Sequence, residues 1–99
     1  MPEDASSLLL LFFSSPRSGP SRRMESLLAH IARKERDRLK VVQVDVDAKR
    51  ELADRLGVLA APTLVLVRGK RIIARLEGRV SAPRIEAMLE PHLEPAVAA

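Results

Sequence analysis

Ser18 and Ser21 stand three residues apart in the run Ser18-Gly19-Pro20-Ser21. A serine hydroxyl becomes a nucleophile only with a base within hydrogen-bond reach. The chain has two histidines, His30 and His92. On a helix starting at the motif, His30 lies about 13 Å along the axis from Ser21. His92 sits near the chain end beside Pro91 and reads as a structural or edge histidine. Asp45 and Asp47 fall at a strand end, where capping is the default role. The second member of a catalytic pair is missing, so no catalytic residue is assigned. There is no cysteine, which excludes a disulfide framework, a thiolate metal site, an iron–sulfur cluster and dithiol redox chemistry. Two histidines leave little for a metal centre. Neither a metal nor a cofactor is expected.

What surrounds the serines is positive charge. Arg17, Arg22 and Arg23 flank them, and residues 17–40 hold eight Lys and Arg against three acids. The whole chain carries a net charge of +4, so this stretch holds the entire excess. Such a surface attracts nucleic acid, phosphate or an acidic partner; its plainer reading is a solvated helix flank. The only aromatics are Phe12 and Phe13, which argues against a base-stacking platform. The one apolar run, residues 8–13, is far short of a membrane span. Glu3 and Asp4 precede it where an export leader would be positive. A cytoplasmic protein with no membrane association is expected.

The elements that position these residues follow from periodicity. Residues 8–13 read as a strand buried on both faces, hence central in a sheet. Residues 14–20 form a turn-rich loop. Met24, Leu27, Leu28 and Ile31 recur at helical spacing, with Arg22, Ser26, Arg33 and Arg36 on the far side. Residues 41–46 are β-branched and read as a second strand. Asp47 is expected to cap a short helix that turns Leu52, Ala53 and Leu56 inward, with Gly57 as its terminator. Residues 63–67 and 71–76 form strands joined by the hairpin link Arg68-Gly69-Lys70. Ser81 is expected to cap a last helix carrying Ile85, Met88 and Leu89, with Pro83 in its first turn and Pro91 ending it.

Ninety-nine residues, 46% hydrophobic and 30% charged, suit one globular domain rather than a disordered chain. The expected core spans 8–93, with 1–7 and 94–99 as loose tails. The order β-α-β-α-β-β-α gives an α/β fold. Its mixed four-stranded sheet, in the order 2-1-3-4, carries helices on both faces. The first three strands are expected to be parallel, through right-handed crossovers, and the last pair antiparallel. A switch point then lies at the C-terminal ends of strands 1 and 3, where residues 14–21 and 60–63 meet.

This arrangement resembles the thioredoxin family. Ser18-Gly19-Pro20-Ser21 stands where that family has Cys-Gly-Pro-Cys, between the central strand and the long helix. Val44-Asp45-Val46-Asp47 is similar to its second-strand ending. Leu56-Gly57-Val58 followed by Ala61-Pro62-Thr63-Leu64 resembles its Gly-Val-x-x-x-Pro-Thr run. Gly69 and Gly78 match its hairpin glycine and the glycine before the last helix. The resemblance covers residues 8–93, and a counterpart of the opening strand and helix of a full thioredoxin is not expected in it. It implies a cis Ala61-Pro62 bond facing the serine motif.

The departures bear on function. Thiol–disulfide exchange needs a thiolate, and a serine hydroxyl cannot supply one. Arg17 takes the place of the family's aromatic residue before the motif, Phe12 that of its buried acid, and Gln43 that of a nearby lysine. A trap variant made by changing two cysteines would leave those three positions alone, so the chain reads as built without redox chemistry. What the resemblance leaves is the family's groove for an extended polypeptide. The expected binding residues are Arg17, Ser18, Gly19, Pro20, Ser21 and Arg22 on one side and Ala61, Pro62 and Thr63 on the other, served by free N–H groups at the start of the long helix. The leading expectation is a non-catalytic protein or peptide binder. The alternatives are a Cys-to-Ser form of a thioredoxin-type disulfide reductase and a nucleic-acid or phosphate binder using the basic stretch.

Overall fold

The computed structural model describes residues 8–93; the expected tails, 1–7 and 94–99, lie outside the described residues. Four strands, β1 (Leu8–Ser14), β2 (Leu39–Asp45), β3 (Thr63–Arg68) and β4 (Arg71–Glu77), form one sheet in the order β2-β1-β3-β4. Three helices, α1 (Gly19–Lys34), α2 (Arg50–Arg55) and α3 (Ala82–Leu89), accompany it, and a 3₁₀ turn at Glu90–His92 follows α3. The fold is α/β, with α1 and α3 on one face of the mixed sheet and α2 on the other.

The sheet is buried on both faces because β1 is apolar at every position but its last. Leu8, Leu10 and Phe12 pack with Met24, Leu28 and Ile31 of α1 and with Ile85 and Leu89 of α3. Phe13, one residue on, points to the opposite face with Val44, Val65 and Ala53 of α2, as strand alternation requires. Continuous apolar sequence in β1 thus fills two cores at once.

One expectation about the sheet is overturned. β1 and β2 are parallel, with Leu8 opposite Leu39 and Ser14 opposite Asp45, but β3 runs antiparallel to β1, with Phe13 opposite Thr63 and Leu8 opposite Arg68. The reason is the length of α2. Six helical residues advance only about 9 Å, too little to return the chain along a seven-residue strand of about 23 Å. The chain re-enters the sheet at the end it left. The junction therefore lies between the C-terminal end of β1 and the N-terminal end of β3, not between two C-terminal ends.

Two smaller expectations also change. Asp47 does not cap α2: Lys49 occupies that position and makes no side-chain cap bond. The Asp45 carboxylate instead accepts from the N–H groups of Asp47 and Ala48, and this turn delays the helix until Arg50. Leu52 does not face inward but is 36% exposed; Ala53 carries the contact. Gly57 does terminate α2, at φ +69°, a conformation that disfavours any residue with a Cβ.

Candidate functional site

The first wall of the site grows out of the end of β1. Ser14 is buried, and its hydroxyl accepts from Gln43 Nε2 at 2.9 Å while its carbonyl accepts from the Val46 N–H at 3.0 Å. The chain then turns: the Ser18 N–H donates to the Ser15 carbonyl at 3.0 Å, and the Arg17 N–H to the Ser15 hydroxyl at 3.2 Å. Ser18 is the N-cap of α1, with its hydroxyl accepting from the Ser21 N–H at 3.1 Å. Pro20 fits the first turn because it has no N–H to leave unpaired.

This cap corrects the expectation of several free amides at the helix start. Ser21 N–H is held by the Ser18 hydroxyl, Arg22 N–H by the Ser18 carbonyl, and Pro20 has none. Among the described residues, only the Gly19 amide of this turn lacks a partner. Ser21 itself is fully buried, and its hydroxyl has no hydrogen-bond partner among the described residues.

The second wall is the segment between α2 and β3. Val58, 2% exposed, anchors it in the smaller core, and its N–H donates to the Ala53 carbonyl at 2.8 Å. From β4, Arg75 donates to the carbonyls of Leu56 at 3.1 Å and Gly57 at 3.0 Å, capping the orphan end of α2. The Ala60 carbonyl accepts from the Thr63 hydroxyl at 2.8 Å, and the Pro62 carbonyl from the Gly78 N–H at 2.8 Å. The Ala61-Pro62 peptide bond is cis. Between these fixed points Leu59 stands 92% exposed.

The two walls border an open groove of about 270 Å³ lined by Ser15, Arg17 and Ser18 of the first, by Val58, Leu59, Ala60 and Ala61 of the second, and by Val46 and Arg50 from the end of β2 and the start of α2. Of the residues singled out in the sequence, Arg17, Ser18 and Ala61 line it. Gly19, Pro20 and Arg22 are exposed on the adjoining turn. Ser21, Pro62 and Thr63 are buried, so they support the walls and are not on the lining. Besides the lining valines Val46 and Val58, sequence reasoning missed Arg50 and Leu59. A signal existed for the second: Leu59 lies between Gly57 and Pro62, where neither helical nor strand periodicity calls for a leucine.

Charge in the groove is one-sided. Two guanidinium groups line it and no carboxylate does. Arg50 lies 3.5 Å from Asp47, with both groups about half exposed, a pairing worth little in water. Arg17, Arg22 and Arg23 make no ion pair among the described residues, and no acid lies in the first turn of α1. Farther along the basic stretch two of the five charges are matched, Lys34 with Glu86 at 3.1 Å and Arg38 with Glu35 at 2.7 Å, while Arg33, Arg36 and Lys40 make no ion pair among the described residues. No helix among the described residues is long and apolar enough to cross a membrane, and none of their His, Asp and Glu side chains group to hold a metal.

The comparisons with known proteins agree with this architecture. The thioredoxin family model matches residues 3–91. The thioredoxin of Bacillus subtilis is 26% identical over 91 residues, covering 92% of this chain and 88% of its own length. That of Alicyclobacillus acidocaldarius is 30% identical over 86 residues, covering 87% and 82%. Among solved structures, a thioredoxin of Nicotiana alata superposes with a TM-score of 0.84 at 27% identity, covering 90% of this chain and 76% of that one. The germline thioredoxin Deadhead of Drosophila melanogaster gives 0.81 at 31%, covering 87% and 81%. Fold, family model and relatives coincide, and the chain belongs to the thioredoxin family while lacking every cysteine that thiol–disulfide exchange requires.

Proposed function

We propose that this chain is a thioredoxin-family protein without redox chemistry that holds an extended segment of another polypeptide in the groove between Ser18 and Ala61. The observation that carries the reading is the state of Ala61. It lines the groove, and neither its N–H nor its carbonyl has a partner among the described residues. Unpaired main-chain groups flanking a sheet are what an added extended segment pairs with. Leu59, almost wholly exposed two residues earlier, offers that segment an apolar contact.

Two residues speak against a Cys-to-Ser form of a disulfide reductase. Phe12 is 1% exposed and belongs to the larger core. Gln43, its neighbour across β2, donates to the Ser14 hydroxyl and to Glu25 at 3.1 Å. Both are integrated into the packing, not left over from another chemistry. The setting of this binding is the cytoplasm.

An array of extended peptides probed with the wild-type chain and with Ala60→Trp tests it. Ala60 is exposed on the groove wall, so the indole fills the groove without entering the core. Binding to a subset of peptides by the wild type, and loss of that binding in the variant, is expected. Equal binding by both would place any peptide site elsewhere and overturn the reading.

A further inference from the structure

We infer that the segment bound in this groove is acidic, with Asp or Glu side chains flanking an apolar residue that seats beside Leu59. This rests on the peptide-binding reading above and adds its chemical class. Arg17 and Arg50 both line the groove, one from the turn before α1 and one from the start of α2, and no carboxylate lines it. Arg50 shares its charge with Asp47, half exposed at 3.5 Å, while Arg17, Arg22 and Arg23 are unpaired among the described residues and carry the charge along the exposed turn of α1. Cations at the positive pole of a helix are unfavourable in the free protein. Carboxylates entering the groove relieve that repulsion and gain charge-assisted hydrogen bonds to guanidinium. The α1 amides add little, since only that of Gly19 is free among the described residues. Discrimination therefore rests with the arginine side chains.

A polypeptide fits better than a nucleic acid for two reasons. Phe12 and Phe13 are both buried, at 1% and 0% exposure, and the chain has no other aromatic, so bases find no stacking surface. The basic stretch is also broken as a phosphate track: Lys34 and Arg38 are engaged by Glu86 and Glu35, and the exposed Arg33, Arg36 and Lys40 lie at or beyond the C-terminal end of α1, the end opposite the Ser18 cap.

Fluorescence anisotropy with three labelled probes tests the inference. They are a peptide of glutamates around a central valine, the same peptide with glutamine for glutamate, and a short oligothymidylate. The glutamate peptide is expected to bind about tenfold tighter than the glutamine peptide at low salt, with the gap closing as salt screens it. Arg17→Gln and Arg50→Gln are each expected to weaken the glutamate peptide about fivefold and to leave the glutamine peptide unchanged. Arg36→Gln, the same charge removed from an exposed position beyond the C-terminal end of α1, roughly 24 Å along the helix from the Ser18 cap, is expected to change affinity less than about twofold, as a distant screened charge. Equal affinity for the two peptides would overturn the acidic preference and leave the peptide groove standing. Failure of both peptides to bind would overturn both readings. Oligothymidylate binding tighter than the glutamate peptide with the same arginine dependence would replace the peptide by a polyphosphate.

Discussion

The Ser18 hydroxyl accepts a hydrogen bond from the Ser21 N–H at 3.1 Å, while the Ser21 hydroxyl is buried with no partner among the described residues. One serine caps a helix; the other fills space. Their replacements should therefore act differently. Ser18→Ala removes the cap and is expected to destabilise by about 1 kcal/mol. Ser21→Ala removes a hydroxyl that left water without finding a partner, and is expected to be neutral or stabilising by up to about 1 kcal/mol. Urea unfolding of both variants checks this. An equal loss in the two would refute the division of roles.

Disulfide reduction by the wild-type chain is expected to stay at background. No residue supplies a thiolate, and the Ser18 hydroxyl is committed as an acceptor. Reductive precipitation of a disulfide-linked substrate, with a dithiol donor present, is the assay. A rate above that of the donor alone would sink the non-redox assignment.

The double variant Ser18→Cys, Ser21→Cys is expected to form a disulfide. Position 18 is half-buried at the helix N-cap and position 21 is fully buried behind it, so one thiol is accessible and the other is not. The helix N-terminus and the unpaired Arg17 favour a thiolate at position 18, below the free-thiol value of about 8.5. Stabilising the reduced form makes the pair more oxidising than thioredoxin's reference of about −270 mV. Phe12 offers no proton relay to position 21, so cycling should be slow. Phe12→Asp in that background is expected to speed it while destabilising by about 3 to 5 kcal/mol, through lost packing and a buried carboxyl. The pH dependence of alkylation reads the first effect and a glutathione titration the second. An alkylation pKa at or above the free value removes the electrostatic argument.

How much of this was legible in the sequence depended on whether the signal was local. Residues 8–13 announced a central strand by continuous apolarity, and Met24, Leu28 and Ile31 announced the buried face of α1. The strand order followed from those two. The direction of β3 was not legible from periodicity, because a strand's pattern is the same read either way; only the shortness of α2 sets it. Ser18 and Ala61 were found from motif and resemblance. Arg50 was missed because its position depends on where α2 begins, and Asp45 delays that start through its turn with Asp47 and Ala48.

Arg75 offers the last test, because it holds the second wall from behind. Its guanidinium donates to the carbonyls of Leu56 and Gly57 and lies 3.4 Å from the Glu77 carboxylate. It stands opposite Val65 in the ladder and so reaches the face where α2 packs. Removing it leaves two carbonyls at the end of α2 without their donor, just before the segment that carries Leu59 and Ala61. Arg75→Met keeps most of the apolar stem and loses both bonds. The expected cost is about 2 kcal/mol, the range for losing hydrogen bonds from a charged group. Because the damage is local, amide exchange at residues 58–61 should accelerate more than exchange in β1, whose protection follows global unfolding. Peptide affinity should fall without any groove-lining residue having changed, since the wall must be ordered on binding. Hydrogen exchange resolved by residue, alongside the anisotropy assay, reads both. Uniform acceleration across β1 and residues 58–61 would mean that Arg75 supports the fold as a whole and gives the groove no separate order.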